Sequence, residues 1–208
     1  MTWPPVWAGS SMQDKALLDM WNRRHAEAES LGQVADVLEQ NIHLASPGGQ
    51  ALDLACGRGA NALYMARAGF DVTAWDLSPV AIERLNQAAQ QAGLDIRTAV
   101  RDVIAQPPEP GSFNLILVSY FLERSLARAI AAALKPGGLL YYQTYSRAAV
   151  TDAGPSSPHY RLDDNELLTL FPALKVRVYR EERLLGDREQ GWRDRVMLVA
   201  EKVWTRRR

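Results

Sequence analysis

The sequence has few of the features that mark an oxidising compartment, a membrane or a polyanionic partner. Cys56 is the only cysteine, which excludes an internal disulfide and a multi-cysteine metal site and fits a reducing compartment. No apolar run reaches the roughly 20 residues that cross a bilayer, and MTWPPVWAGS lacks the regions of an export signal. The 24 basic and 24 acidic residues cancel. We therefore predict a cytoplasmic protein that engages neither nucleic acid nor membrane.

The length and composition suit one domain preceded by a short helical segment. The 208 residues, 47% of them hydrophobic, can bury a sizeable core. Apolar residues at helical spacing in the first forty positions predict one or two helices, which Pro47 and Gly48 end. We predict that helices within residues 1–49 form part of a lid and that residues 50–208 form the main domain. The basic run Arg206–Arg208 is predicted to be a solvated tail.

Strand-like and helix-like segments alternate through the middle of the chain. The strands ALDLA, FDVTAWD, LDIRTAV, FNLILVSY and GLLYYQTY are separated by segments such as the helical PVAIERLNQAAQQAG. Alternation at these lengths predicts an α/β fold with a doubly wound, mostly parallel sheet and helices on both faces. LKVRVYREERLL and WRDRVMLVAEKV then predict a C-terminal antiparallel hairpin. Between the two parts, residues 146–161 are rich in Ser, Pro and Gly, which predicts a functional loop.

The segment LDLACGRGANAL combines a carboxylate, a glycine turn and a helix start. Gly57 and Gly59 allow a tight turn and a close approach to a ligand, at which the next helix aims its unpaired N–H groups. Asp76 ends the second strand in AWDLSP, where Ser78 is predicted to cap the following helix. A carboxylate at this point suits the two hydroxyls of a ribose, so the ligand is predicted to carry a nucleoside.

Two ligands fit this arrangement. Gly57, Gly59 and Ala62 match the G-x-G-x-x-A fingerprint, which predicts an NAD(P)-dependent reductase. Asp53, however, would crowd a pyrophosphate, whereas it suits the ammonium group of an amino acid. S-adenosylmethionine is a nucleoside that bears an amino acid, and it therefore matches these features. The chain also lacks a Tyr-x-x-x-Lys pair. A module that binds S-adenosylmethionine without transferring its methyl group is the third alternative.

Four motifs resemble, in order, those of class I S-adenosylmethionine-dependent methyltransferases: LDLACGRGANAL, VTAWDLSP, RDV and LKPGGLL. The resemblance covers residues 50–145 and implies a Rossmann-like fold, S-adenosylmethionine as cofactor and S-adenosylhomocysteine as product. We predict in-line methyl transfer to a small-molecule acceptor by a monomer or weak homodimer. GAN, AWD and GPSSPHYRLDDNELLTLF most resemble small bacterial tellurite-resistance-type methyltransferases. GDREQGWRDR lacks the hairpin histidine of those proteins, so their activity is not inferred.

The resemblance also implies roles for individual residues. The implied cofactor-binding residues are Trp21, Arg24, Asp53, Ala55, Gly57, Gly59, Asp76, Leu77, Asp102, Val103 and Ser119. Asp53 would act on the amino group directly or by organising the loop, Asp76 on the ribose, and Asp102 on the adenine. WNRRH is similar to a Trp-x-x-Arg-Tyr stretch that covers the cofactor, with His25 in place of the tyrosine. Ala55 stands where the family has its first glycine.

The reacting methyl group is expected to face polar side chains after the fourth and fifth strands. The candidate catalytic residues are Tyr120, Tyr145 and His159, with Glu123 and Arg161 nearby. No metal site is expected. The hairpin arginines are predicted to form a solvated face, with contact to an anionic acceptor as the alternative; they are Arg188, Arg193 and Arg195.

Overall fold

The computed structural model describes residues 12–204, so residues 1–11 of the predicted lid and the predicted tail Arg206–Arg208 lie outside the described part. The helices are α1 (Met12–Glu27), α2 (Asp36–Asn41), α3 (Ala60–Arg67), α4 (Pro79–Ala92), α5 (Ala127–Ala133) and α6 (Glu166–Leu170). The strands are β1 (Gln50–Leu54), β2 (Asp71–Asp76), β3 (Ile96–Val100), β4 (Phe113–Ser119), β5 (Leu134–Tyr145), β6 (Lys175–Glu181) and β7 (Arg195–Glu201). Three short 3-10 helices span Ile42–Leu44, Arg124–Leu126 and Pro158–Tyr160.

Within residues 12–204 the strands form one seven-stranded sheet in the order β3-β2-β1-β4-β5-β7-β6. The first five of these are parallel, and β7 lies antiparallel between β5 and β6. The predicted Rossmann-like sheet with a C-terminal antiparallel hairpin is therefore confirmed. Because the winding direction changes between β1 and β4, a crevice forms at their carboxyl ends, where this class of sheet binds ligands.

Helices cover both faces of the sheet, and each face has its own hydrophobic core. On one face Leu63 and Leu85 of α3 and α4 pack with Val37 of α2. On the other face Ile130 of α5 and Leu167 of α6 pack against the sheet. Val37 is fully buried, so α2 belongs to the core although it precedes the first strand. Between residues 12 and 204 no helix has both the length and the apolar character needed to cross a membrane.

Local signals in the sequence set the bounds of α4. The Ser78 hydroxyl accepts a hydrogen bond from the Ala81 N–H at 3.2 Å, which confirms the predicted cap, and Pro79 occupies the first turn. Gly93 ends the helix with φ of 64°, a left-handed conformation that glycine adopts without steric cost. The β2–α4 junction is thus locally determined, which fixes Asp76 at the end of its strand.

Ala55, at the end of β1, has the left-handed φ of 57° that usually calls for glycine. A methyl group in this conformation costs about 1 to 2 kcal/mol, while glycine would lose about 0.4 to 1 kcal/mol through the entropy of the unfolded chain. We expect Ala55→Gly to raise the free energy of unfolding by about 0.5 to 1 kcal/mol, measured by urea denaturation. The control Ala88→Gly, inside α4, should lower it by about 1 kcal/mol. A similar decrease in the free energy of unfolding of Ala55→Gly would show that Ala55 is not strained.

Candidate active site

The glycine loop after β1 is tied to the end of β2. The Cys56 N–H donates to the Trp75 carbonyl at 2.9 Å, and the Gly57 N–H donates to Asp76 Oδ2 at 2.7 Å. Both strands are parallel and adjacent, so their carboxyl ends bring these segments together. The loop is therefore held over the crevice with the N-terminus of α3 beside it.

A side chain would meet different surroundings at the two loop glycines. A Cβ on Gly57, where φ is 53°, would lie 3.6 Å from His25 Cε1, an ordinary contact. A Cβ on Gly59, where φ is 86°, would lie 2.2 Å from Leu85 Cδ1, and Leu85 is fully buried. Gly59 is therefore required by packing between α3 and α4. The sequence pattern predicted a close ligand approach at both positions and did not reveal the packing role of Gly59.

Asp53 is a carboxyl group buried without a hydrogen-bond partner. It points from β1 into the protein, is 0% exposed, and neither of its side-chain oxygens forms a hydrogen bond within the described residues. Burial, with repulsion from Asp76, raises the pKa of Asp53 to about 7. The Ala62 backbone N–H acts to lower the pKa of Asp53, but this N–H is not placed well enough to form a hydrogen bond with the carboxyl group. A buried acid of this kind is suited to a cationic ligand group.

Asp76 is almost as buried, at 8% exposed, but its two oxygens are satisfied. Oδ1 accepts the Ser78 N–H at 2.8 Å, and Oδ2 accepts the Gly57 N–H. Burial raises the pKa of Asp76, while these two donors and the charge of His25 lower it. Asp76 therefore organises the glycine loop through hydrogen bonds to its backbone, a role that its position in the sequence did not indicate.

Three predicted adenine contacts lie beside the end of β3. Asp102 is half-buried, and its Oδ1 accepts the Ile104 N–H at 2.9 Å and the Ala105 N–H at 3.2 Å. Val103 is buried, and Leu77 is half-buried after β2. Asp102 thus caps the turn that follows it, and no hydrogen bond within residues 12–204 uses its second oxygen.

Helix α1 lies over the glycine loop. His25 is 8% exposed and stacks on Trp21, with ring centroids 5.9 Å apart, while the Arg24 guanidinium lies 5.3 Å from the Trp21 ring centroid. Burial lowers the pKa of His25, and the negative charge of Asp76 opposes this change. Asn22 Oδ1 accepts the Ser78 hydroxyl proton at 2.6 Å, a contact that was not anticipated. α1 is therefore bonded directly to the β2–α4 junction.

Two of the three candidate catalytic residues lie together at the ends of β4 and β5. The rings of Tyr120 and Tyr145 are 5.1 Å apart, and the Tyr120 hydroxyl accepts a hydrogen bond from Gln143 Nε2 at 2.7 Å. Tyr120 has a left-handed φ of 55° without being glycine, a strained conformation that proteins tend to keep at functional sites. Ser119 precedes it, and its hydroxyl accepts from Asn61 Nδ2 at 3.0 Å.

Among residues 12–204, His159 forms neither a hydrogen bond nor a ring contact with this pair. It is exposed on the 146–161 loop, packs edge-on against Tyr160 and lies close to Glu123. Ser125 hydrogen bonds, and to a smaller extent His159, lower the pKa of Glu123. The loop itself covers Tyr145, since a Cβ on Gly154 would lie 2.6 Å from the Tyr145 ring.

The hairpin arginines are less solvated than predicted. Arg188 is exposed, but the Arg193 and Arg195 side chains retain only 14% and 32% of their accessible surface. Arg193 donates to backbone carbonyls of the hairpin, and Arg195 Nη1 pairs with Asp36 Oδ2 at 2.8 Å. The prediction of a solvated face is therefore wrong for these two residues: Arg193 is held by the hairpin's own carbonyls, and Arg195 is paired with Asp36 of the N-terminal segment.

Comparison with known proteins agrees with this geometry. A methyltransferase domain family matches residues 51–138. A ubiquinone biosynthesis O-methyltransferase of Xanthomonas campestris pv. campestris is 32% identical over 175 residues, which covers 74% of this chain and 72% of the relative. The chain belongs to the S-adenosylmethionine-dependent methyltransferases. Its cofactor is S-adenosylmethionine, and the dinucleotide alternative is not supported.

Solved methyltransferase structures share this fold. TehB from Haemophilus influenzae has a TM-score of 0.65 at 24% identity, covering 89% of this chain and 66% of TehB. A SAM-dependent methyltransferase from Methanosarcina mazei has a TM-score of 0.64 at 18% identity, covering 84% of this chain and 100% of the other. At these identities the likeness establishes the fold of the methyltransferase and not its acceptor.

The residues of this methyltransferase fit its cofactor. The unpartnered Asp53 carboxyl lies below a loop that leads into α3, so a cationic amino group and an anionic carboxylate can both find complementary partners there. Within residues 12–204 no group of three or more His, Cys, Asp or Glu side chains is placed to hold a metal ion.

A polar network that fixes α2 was not predicted from the methyltransferase sequence. Asn61 Oδ1 accepts the Ala35 N–H at 2.8 Å, and Gln143 Oε1 accepts the Val37 N–H at 2.8 Å. Gln143 is fully buried, and Asn61 is 7% exposed. Polar residues among the apolar positions of α3 and β5 were the available signal, because a buried amide requires hydrogen-bond partners.

Proposed function

We propose that this methyltransferase transfers a methyl group to an oxygen atom of a small-molecule acceptor. The observation that supports this most strongly is the alignment, over 74% of the chain, with relatives named as O-methyltransferases. The Tyr120–Tyr145 pair supports the small-molecule part of the proposal, because its two rings, 5.1 Å apart, offer aromatic surface where β4 and β5 end. An acceptor small enough to lie under the 146–161 loop would pack against these two rings.

The proposed cofactor site uses the residues that the sequence predicted. When bound, S-adenosylmethionine supplies an activated methyl group. Asp53 would pair with its ammonium group, and Asp76 would bind the ribose while it holds the Gly57 N–H. Asp102 retains one oxygen for the adenine amino group. The remaining proposed contacts come from Trp21, Arg24, Ala55, Gly57, Gly59, Leu77, Val103 and Ser119.

On the acceptor side, Tyr120 and Tyr145 would contact the substrate. The 146–161 loop would act as a lid together with α1 and the other helices before Gln50, and His159 would belong to that lid. The protein would position the acceptor oxygen and exclude water, which are the contributions expected of an enzyme whose cofactor is already activated. A monomer or weak homodimer in the cytoplasm remains part of this proposal, consistent with the single thiol of Cys56.

The test is methyl transfer from radiolabelled S-adenosylmethionine to a library of small hydroxyl compounds. We expect label in at least one product, retained on oxygen. Calorimetric titration with S-adenosylhomocysteine and with NADH provides the control, and only the former should bind. Transfer exclusively to nitrogen or sulfur would contradict the proposal, and a protein that binds the cofactor but labels nothing would be a binding module.

A further inference from the structure

Arg195 lies beside the two tyrosines that are proposed to contact the acceptor. It pairs with Tyr145 across β5 and β7 at the carboxyl edge of the parallel strands, the edge at which Tyr120 follows β4. Arg195 Nη1 donates to the Tyr120 hydroxyl at 3.4 Å. The guanidinium therefore stands beside the aromatic pair that faces the proposed cofactor site.

The position of this guanidinium is fixed by its neighbours. Its Nη1 donates to Asp36 Oδ2 at 2.8 Å, and the same oxygen accepts the Trp192 indole N–H at 2.9 Å. The guanidinium carbon also lies 5.0 Å from the Trp192 ring centroid. A cation held by an ion pair and an aromatic face is pre-organised, so its side chain would lose little conformational entropy when a ligand binds to it.

Arg195 also retains hydrogen-bonding capacity that its neighbour has used. Within residues 12–204 only Nη1 of Arg195 forms hydrogen bonds, which leaves Nε and Nη2 available. Arg161, the other cation at Tyr145, donates to Pro155, Ser146 and Ala153 carbonyls through all three nitrogens. Of the two arginines beside Tyr145, Arg195 is therefore the one whose remaining N–H groups can form a forked contact with an oxyanion.

Nearby acids do not occupy those donors. Asp36 already accepts from Trp192 and Arg195 through one oxygen, and Asp194 accepts from Val150 and Thr151 of the loop. Beside this fork the tilted Tyr120 and Tyr145 rings offer aromatic faces. A planar ring that carries a carboxylate matches both features.

We propose that Arg195 binds a carboxylate on the acceptor, and that the acceptor is accordingly a small aryl acid. This rests on the proposed function, since it names the substrate class of the same site. Arg195 would contact the substrate through Nε and Nη2, leaving Nη1 on Asp36. The predicted alternative role for the hairpin arginines, contact with an anionic acceptor, would then apply to Arg195 alone.

The test measures binding without turnover. Protein saturated with S-adenosylhomocysteine is titrated calorimetrically with matched pairs of an acid and its amide: benzoate and benzamide, 4-hydroxybenzoate and 4-hydroxybenzamide, phenylacetate and phenylacetamide. We expect at least one acid to bind at least about tenfold more tightly than its amide, as a charge-assisted forked contact implies. Equal binding of acids and amides, or no acid binding at millimolar concentration, would overturn the proposal.

Variants then assign the preference to Arg195. Arg195→Met should abolish the acid preference, and Arg195→Lys should keep part of it. Arg180→Met is the matched control, because Arg180 lies 5.7 Å from the same Trp192 ring but pairs with Glu182. It should keep the full preference. An acid preference that survives Arg195→Met would overturn the proposal, whereas loss of O-methyl transfer with the acid preference intact would refute only the proposed function.

Discussion

Asp53→Asn is expected to stabilise the cofactor-free protein at pH 8 and, at the same time, to weaken cofactor binding. The carboxyl is fully buried and unpartnered, with a pKa of about 7 against an ordinary value of 3.8. A shift of this size corresponds to at most about 4 kcal/mol. Since asparagine also needs hydrogen bonds, we expect a gain of about 1 to 3 kcal/mol in the free energy of unfolding.

The sign of this effect depends on pH. Because the folded pKa of Asp53 is raised, its neutral form favours the folded state fully below about pH 4, and this contribution is lost as pH rises through about 7. The stability difference between Asp53→Asn and the wild type should therefore be large at pH 8 and small at pH 5, in urea titrations at both values. A difference independent of pH would contradict this account.

Cofactor binding should change in the opposite direction. An asparagine carries no charge and forms no ion pair with an ammonium group, so the affinity for S-adenosylhomocysteine at pH 8 should fall at least about tenfold by calorimetry. Asp95→Asn is the matched control, because Asp95 is exposed between α4 and β3. It should alter neither the affinity nor the pH dependence. A more stable protein with unchanged affinity would show that Asp53 does not contact the cofactor.

Asp76→Ala is expected to reduce both affinity and stability. The substitution leaves the Gly57 and Ser78 N–H groups without their carboxylate acceptor. Hydrogen bonds to charged groups contribute about 1.5 to 3 kcal/mol each, so the affinity for S-adenosylhomocysteine should fall at least about tenfold. The free energy of unfolding should fall by about 2 to 3 kcal/mol. Calorimetry and urea denaturation measure the two effects.

A second variant separates the two roles of Asp76. Asp76→Asn keeps one carbonyl oxygen for the loop but loses the charge, so most of the stability should return while the affinity stays low. Unchanged affinity in Asp76→Ala would mean that another residue binds the ribose. Restored affinity in Asp76→Asn would mean that the carboxylate acts on the loop alone.

The sequence predicted what is local or periodic. Alternating segments gave the parallel sheet and its hairpin, and Ser78 marked the start of α4, because caps and strand periodicity depend on neighbouring residues. The order of Asp53, Asp76 and Asp102 along the chain followed from the ends of successive strands. These positions could be predicted since parallel strands share one carboxyl edge.

Contacts between distant segments could not be predicted in this way. Asp36 meets Trp192 and Arg195 across more than 150 positions, and no periodic pattern encodes that pairing. The packing of Leu85 against Gly59 likewise depends on how α3 and α4 pack together. The prediction of a solvated hairpin face was wrong because the sequence around a charged residue does not reveal which distant residue it will pair with.

The central claim is that Asp53 and Asp76 bind opposite ends of one S-adenosyl amino acid. A crystal structure of the complex with S-adenosylhomocysteine tests it most directly. We expect the amino group within hydrogen-bonding distance of Asp53 and the ribose hydroxyls within the same distance of Asp76. A ligand bound elsewhere on the sheet, or one bound here with both carboxylates turned away from it, would contradict the account.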